Sequence, residues 1–184
     1  RPEEVAAIVA LARERKLAIH MDGARFANAV AFLEATPADA AGDVDALSFG
    51  FIKNGGLGAE AIVFFDAALA DVARYRRKRA GHLQSKGRFL AAQLHAMLDG
   101  DVWLTNARHA NAAAQEIAAG CEERLMHAAE ANELFVRCTA DERQALREKG
   151  FGFYDWGDDA ARFVTAWNTP EEDASALAKA LAAL

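Results

Sequence analysis

An α/β layered fold is predicted by three features of this 184-residue chain. Short, almost continuously apolar runs read as buried strands, helical stripes lie between and after them, and loop chemistry marks the junctions. Hydrophobic residues make up 53% and charged residues 26%, which is enough apolar surface for a real core. Alanine supplies much of that apolar content, so helices should be plentiful.

The opening "PEEVAAIVALARERK" predicts a helix, with Pro2 at its first position, Glu3 and Glu4 at the positive end of its dipole, and basic residues at its close. Val5, Ile8, Val9 and Leu11 form its apolar stripe. A domain rarely starts so abruptly, and the chain is expected to be a piece of a longer protein. "LAIHM" follows as a short strand with little alternation, the pattern of a buried parallel strand. "ARFANAVAFLEA" reads as a helix, "VDALSFGF" as a second strand, "KNGGLGAE" as a glycine-rich loop, and "AIVFF" as a third buried strand.

Beyond Asp66 the texture turns helical: "AALADVARYRRKRAG", "LQSKGRFLAAQLHAMLDG" and the long "DVWLTNARHANAAAQEIAAGCEERL". The remainder alternates: strand "ELFVRCT", helix "DERQALREKG", strands "FGFYDW" and "RFVTAWN", helix "EEDASALAKALAAL". Capping boxes are expected from Thr139 with Glu142 and from Thr169 with Glu172. A boundary near Asp99-Gly100 divides residues 1–99 from residues 100–184.

Charge and composition exclude several function classes. The net charge of −6 disfavours general attraction to nucleic acid or an anionic membrane. The segment Arg74 to Arg88 is basic, yet Tyr75 is its one interleaved aromatic. No apolar run nears the ~20 residues of a membrane span. Cys121 and Cys138 lack metal-ligand spacing, so no metal is expected, and a cytoplasmic, reducing setting is the natural reading.

Two positions carry chemistry. Asp22 stands at the end of the first strand, where ligands of open α/β sheets bind. Lys53 stands just past the end of the second strand, between Ile52 and Asn54. A strand-end Asp is more often a loop cap, and a Lys before Asn-Gly is more often a solvated turn residue. Together they suggest pyridoxal 5′-phosphate (PLP): an amine that captures an aldehyde, and a carboxylate that keeps a pyridine nitrogen protonated.

The segments "HMDGARFANA", "DALSFGFIKNGGLGAEAIVFFD", "YRRKRAGHLQSKGRFLAAQ" and "ARFVTAW", in that order, resemble the L-threonine aldolase family. Low-specificity threonine aldolases and phenylserine aldolases belong to this type, within the threonine aldolase/β-eliminating lyase group of aspartate-aminotransferase-like, fold type I PLP enzymes. The resemblance covers only the C-terminal half of such proteins. It implies that residues 1–99 are the C-terminal part of a PLP-binding large domain with a mostly parallel sheet, and residues 100–184 a small α/β domain. It implies a PLP-dependent carbon–carbon lyase that splits threonine or another β-hydroxy-α-amino acid into glycine and an aldehyde.

By the same resemblance Lys53 is the cofactor's covalent attachment point and Asp22 the partner of its ring nitrogen. Arg25 lies beside the cofactor's phenolic oxygen and the substrate carboxylate, and Arg162 grips that carboxylate. Ser48 is a phosphate donor or an ordinary strand serine, and His20 is expected to be a satisfied core histidine. The basic segment would meet the active site of a neighbouring subunit, with Lys86 favoured over Arg79 as the phosphate ligand. A homo-oligomer, dimer or tetramer, with shared sites is implied. Other readings are a β-eliminating lyase on the same fold, or a noncatalytic fragment that supplies an oligomer interface.

Overall fold

The computed structural model describes residues 1–184. The chain forms two compact units, Arg1–Leu104 and Thr105–Leu184. The division falls inside the helix Val102–Ala119, past the turn where Gly100 takes a φ of 64°.

The first unit opens with α1 (Pro2–Glu14), which has Pro at its start, Glu3 and Glu4 in its first turn and Arg13 in its last. Of its stripe only Val9 is buried, while Ile8 is 60% and Leu11 51% exposed. Three strands follow, β1 (His20–Gly23), β2 (Ala46–Phe49) and β3 (Ala61–Phe64), hydrogen-bonded in the order β1-β2-β3. β1 and β2 run parallel, with Asp22 opposite Ser48; β2 and β3 run antiparallel, with Ser48 opposite Ile62.

Three details of these strands depart from the sequence reading. β1 begins at His20 rather than Leu17, because Leu17 donates its backbone N–H to Ala12 and so belongs to the end of α1. β3 is an edge strand, with Ile62 61% exposed and Phe65 55% exposed just past its end, rather than a buried one. It is antiparallel because a loop without a crossover helix joins it to β2, and a parallel partner would need such a crossover.

Between β1 and β2 lie α2 (Phe26–Leu33) and the short α3 (Pro37–Ala41). α3 was not anticipated, although Thr36 caps it by accepting from Asp39 N at 3.1 Å and Pro37 occupies its first position. Phe26, Val30, Leu47 and Phe51 are buried, and the Phe26, Phe51 and Trp103 rings each pack against Phe49. Arg13 donates to both carboxylate oxygens of Asp45, which also accepts the Ile19 N–H at 2.6 Å. That contact ties α1 to the entry of both parallel strands. α4 (Ala67–Arg79), capped by Asp66, and α5 (Arg88–Leu98) complete the unit before α6 (Val102–Ala119).

In the second unit β4 (Glu133–Arg137), β5 (Tyr154–Trp156) and β6 (Ala160–Val164) form an antiparallel sheet in the order β4-β6-β5. α7 (Ala140–Glu148) and α8 (Glu171–Ala182) contribute, with α6, to its core around Ile117, Leu134, Val136, Leu146, Phe163 and Leu181. Gly120, just past the end of α6, lies against α8: a Cβ there would sit 2.3 Å from the Ala178 carbonyl oxygen, so the position requires glycine. β6 starts two residues before the expected Arg162, since Ala160 and Ala161 are fully buried and pair with both neighbours. The Thr139–Glu142 capping box forms. The Thr169 box does not; Pro170 is the N-cap, and Thr169 Oγ1 instead accepts from Ala166 N at 2.8 Å.

Candidate active site

Because β1 and β2 are parallel, their C-terminal ends share one edge of the sheet. Asp22 and Ser48 are register partners there, and their strands lead into the turns that carry Arg25 and Lys53. The strand ends meet backbone to backbone. Gly50 N donates to the Gly23 carbonyl at 3.0 Å. A Cβ on Gly50 would lie 2.5 Å from the Ala24 oxygen, and one on Gly23 would lie 2.5 Å from the Ser48 oxygen. Both positions therefore require glycine, and the close approach draws the two site-bearing turns together.

Asp22 is exposed, and its Oδ1 accepts the Ala24 N–H at 3.1 Å while Oδ2 has no protein donor. Arg25 is half-buried at the N-cap of α2. Ser48 Oγ lies 2.7 Å from His20 Nε2. His20 is thus an exposed strand residue bonded to its neighbour, not the core histidine expected, because β1 lies at the edge of its sheet.

Lys53 occupies the middle of a single 3-10 turn, Ile52–Asn54. Its side chain is exposed and its amine makes no hydrogen bond or ion pair, yet the backbone around it is pinned on every side. Phe51 and Asn54 are buried, Asn54 Nδ2 donates to the Trp103 carbonyl at 2.8 Å, and Gly56 N donates to the Phe51 carbonyl at 2.8 Å. Glu60 accepts the N–H groups of Phe51 and Ile52, one on each carboxylate oxygen, both at 3.1 Å.

The other expected site residues lie elsewhere. Lys86 is exposed in the turn between α4 and α5 with a φ of 60°, and Arg79 ends α4. Neither makes a hydrogen bond or ion pair with Asp22, Ser48 or Lys53. Arg162 belongs to the second unit, on β6, where it is ion-paired to Glu133 and its guanidinium lies 5.7 Å from the centre of the Tyr154 ring. Glu60, Asn54 and Glu133 were missed by sequence reasoning. The only signal for Glu60 was an acid placed directly before a strand; its partners are backbone groups, which leave no mark in a sequence.

A family model described as beta-eliminating lyase matches residues 1–140, the stretch that contains β1, β2 and both of their turns. The chain belongs to the β-eliminating lyase family. Among curated relatives of this family member, a low specificity L-threonine aldolase of Pseudomonas sp. (strain NCIMB 10558) is 44% identical over 93% of the chain and 51% of that protein. The chain spans about half the length of the curated relatives it matches. A Leishmania major threonine aldolase structure superimposes with a TM-score of 0.88 at 28% identity, over 98% of this chain and 55% of that one. A Mycobacterium tuberculosis lysine aminotransferase, at 17% identity and a TM-score of 0.59 over 100% of this chain and 45% of that one, shares the fold. This β-eliminating lyase family member is therefore part of a fold type I α/β architecture. No helix is long and apolar enough to cross a membrane.

Proposed function

We propose that the protein carrying this chain is a PLP-dependent aldolase that cleaves L-threonine, L-allo-threonine or related β-hydroxy-α-amino acids, phenylserine among them, to glycine and an aldehyde. The observation that carries the reading is the shared strand edge: Asp22 beside Ser48 at the ends of two parallel strands, with Lys53 on the pinned turn that follows. The 44% identity to a low specificity L-threonine aldolase supports the substrate class.

The residues present fit PLP. Lys53 offers an amine with no protein partner, and Asp22 an oxygen with no protein donor. Lys53 would hold the cofactor covalently and Asp22 its ring nitrogen; Arg25 and Ser48 would bind its oxygens, with Lys86 as a phosphate ligand shared between subunits of a homo-oligomer. Bound there, PLP supplies an electron sink for the bond that breaks. The chain's own residues then decide which bond that is. Arg25 and Arg162 would hold the substrate carboxylate, and a guanidinium fork fixes a carboxylate's orientation as well as its charge. That orientation would decide which substrate bond reacts, so holding the carboxylate would act on specificity as well as affinity. Asp22, held to its turn by the Ala24 N–H, would keep a proton on the ring nitrogen.

The test is product analysis of the full-length protein under saturating PLP. Aldehyde and glycine from L-threonine or phenylserine are expected, with a visible absorbance band that Lys53→Ala abolishes. Pyruvate and ammonia from serine, without aldehyde from either hydroxy amino acid, would replace the aldolase with a β-eliminating lyase.

A further inference from the structure

The turn that presents Lys53 is short, exposed on its outer side and rich in glycine, a composition that ordinarily gives a mobile segment. Here it is held at its start by one carboxylate. Both oxygens of Glu60 accept backbone N–H groups, from Phe51 and Ile52, which directly precede Lys53. These two groups open the 3-10 turn, and helix-type turns leave their first N–H groups without partners inside the turn. In three helices of the chain such groups are satisfied from the N-cap's own side chain: Asp66 serves α4, Thr36 serves α3 and Thr139 serves α7. Phe51 cannot do so, because its side chain is apolar and fully used in the core.

Glu60 stands at the far end of the loop, immediately before β3, so its two bonds close the loop on itself across the turn. The loop's other fixings come from Asn54, through the Trp103 carbonyl, and from Gly56, through the Phe51 carbonyl. Gly56 cannot be replaced without disturbance, since a Cβ there would lie 2.9 Å from the Phe51 oxygen. Lys53 therefore sits between a carboxylate-held start and a buried amide-held end.

We infer that Glu60 is a positioning residue for Lys53: its carboxylate fixes the backbone from which the Lys53 amine reaches the cofactor aldehyde, without touching cofactor or substrate itself. The inference rests on the proposed role of Lys53. A charge-assisted acceptor on two adjacent N–H groups holds the turn more firmly than a neutral one, and an amide at the same place can accept on one atom only.

The experiment compares full-length wild type with Glu60→Ala, Glu60→Gln and Lys53→Ala. Three quantities are read: the melting midpoint of the cofactor-free protein, its amide exchange over residues 50–57, and the concentration of PLP giving half-maximal borohydride-trapped adduct. Glu60→Ala is expected to speed exchange in that segment and to raise the half-loading concentration about tenfold, with Glu60→Gln in between. Comparable folding of all variants, read from far-UV circular dichroism and melting, separates positioning from general destabilisation. Wild-type exchange and wild-type loading in Glu60→Ala would overturn the inference while leaving Lys53 in its role. Undiminished adduct in Lys53→Ala would overturn the role of Lys53 and the inference with it.

Discussion

Glu133 and Arg162 are joined by an ion pair between β4 and β6, each side chain about one quarter exposed, and the Arg162 guanidinium also lies over the Tyr154 ring. Only one of its five N–H donors is spent on Glu133, so the plane of the guanidinium is set while donors remain for a carboxylate. Truncating Arg162 to Ala should raise KM for the amino acid far more than it lowers stability, and Arg162→Lys should not restore the fork geometry. Glu133→Gln should cost about 1 kcal/mol in denaturant unfolding, the scale of a partly exposed pair. An unchanged KM in Arg162→Ala would remove this residue from the substrate site.

Asp22→Asn keeps the size of the side chain and its acceptor for Ala24 N while removing the negative charge. Aldehyde release should fall by about 100-fold or more, the scale seen when a preorganised electrostatic partner is lost. The melting midpoint should stay close to wild type, because Asp22 is exposed and makes one backbone contact.

Gly50→Ala forces a methyl to within 2.5 Å of the Ala24 carbonyl oxygen, where neither backbone can yield easily. A loss of about 1–3 kcal/mol is expected, as for other overpacked sites. The same variant should weaken PLP loading, since the displaced segment is the turn between Asp22 and Arg25. Alanine at Gly58, whose Cβ would meet nothing, is the matched control.

Acid should destabilise both units. The Arg13 hydrogen bonds hold the Asp45 carboxyl below the usual range; Arg147 does the same for Asp155, and the Thr139 N–H, aided by Arg124, for Glu142. Each folded carboxyl titrates below its unfolded counterpart, so the unfolded chain binds more protons across that interval. Their contribution is complete above the unfolded carboxylate values, about 3.9 to 4.3, and is lost as pH falls through the folded ones. Melting midpoints followed from about pH 6 down to about pH 2 should drop, and Asp45→Asn should flatten the curve.

Cys121 and Cys138 should be inert until the second unit opens. Burial pushes the Cys121 thiol up to about 11 and raises Cys138 as well, so neither forms thiolate near neutral pH. Alkylation followed by mass spectrometry should track unfolding rather than reagent concentration. Rapid native-state labelling of either thiol would contradict this.

Much of the architecture is written locally. Pro2 with Glu3 and Glu4 marks the start of α1, and Thr139 with Glu142 marks α7, because capping involves groups only a few residues apart. The order of strands and helices, and Asp22 and Lys53 at strand ends, follow from apolar runs and the residues that interrupt them. The Thr169 box failed because a capping motif states what a side chain can reach, while the neighbouring Ala166 N–H competed for the same hydroxyl. The direction of β3, the exposure of His20, and the partners of Glu60 and Arg162 arise only when segments far apart in the chain meet. What the sequence alone determined was therefore the set of elements and the residue types at their ends, each governed by short-range propensity and period. What only the tertiary structure decided was which of those residues face one another, because a backbone acceptor or a cross-strand neighbour has no signature in the residue that bonds it.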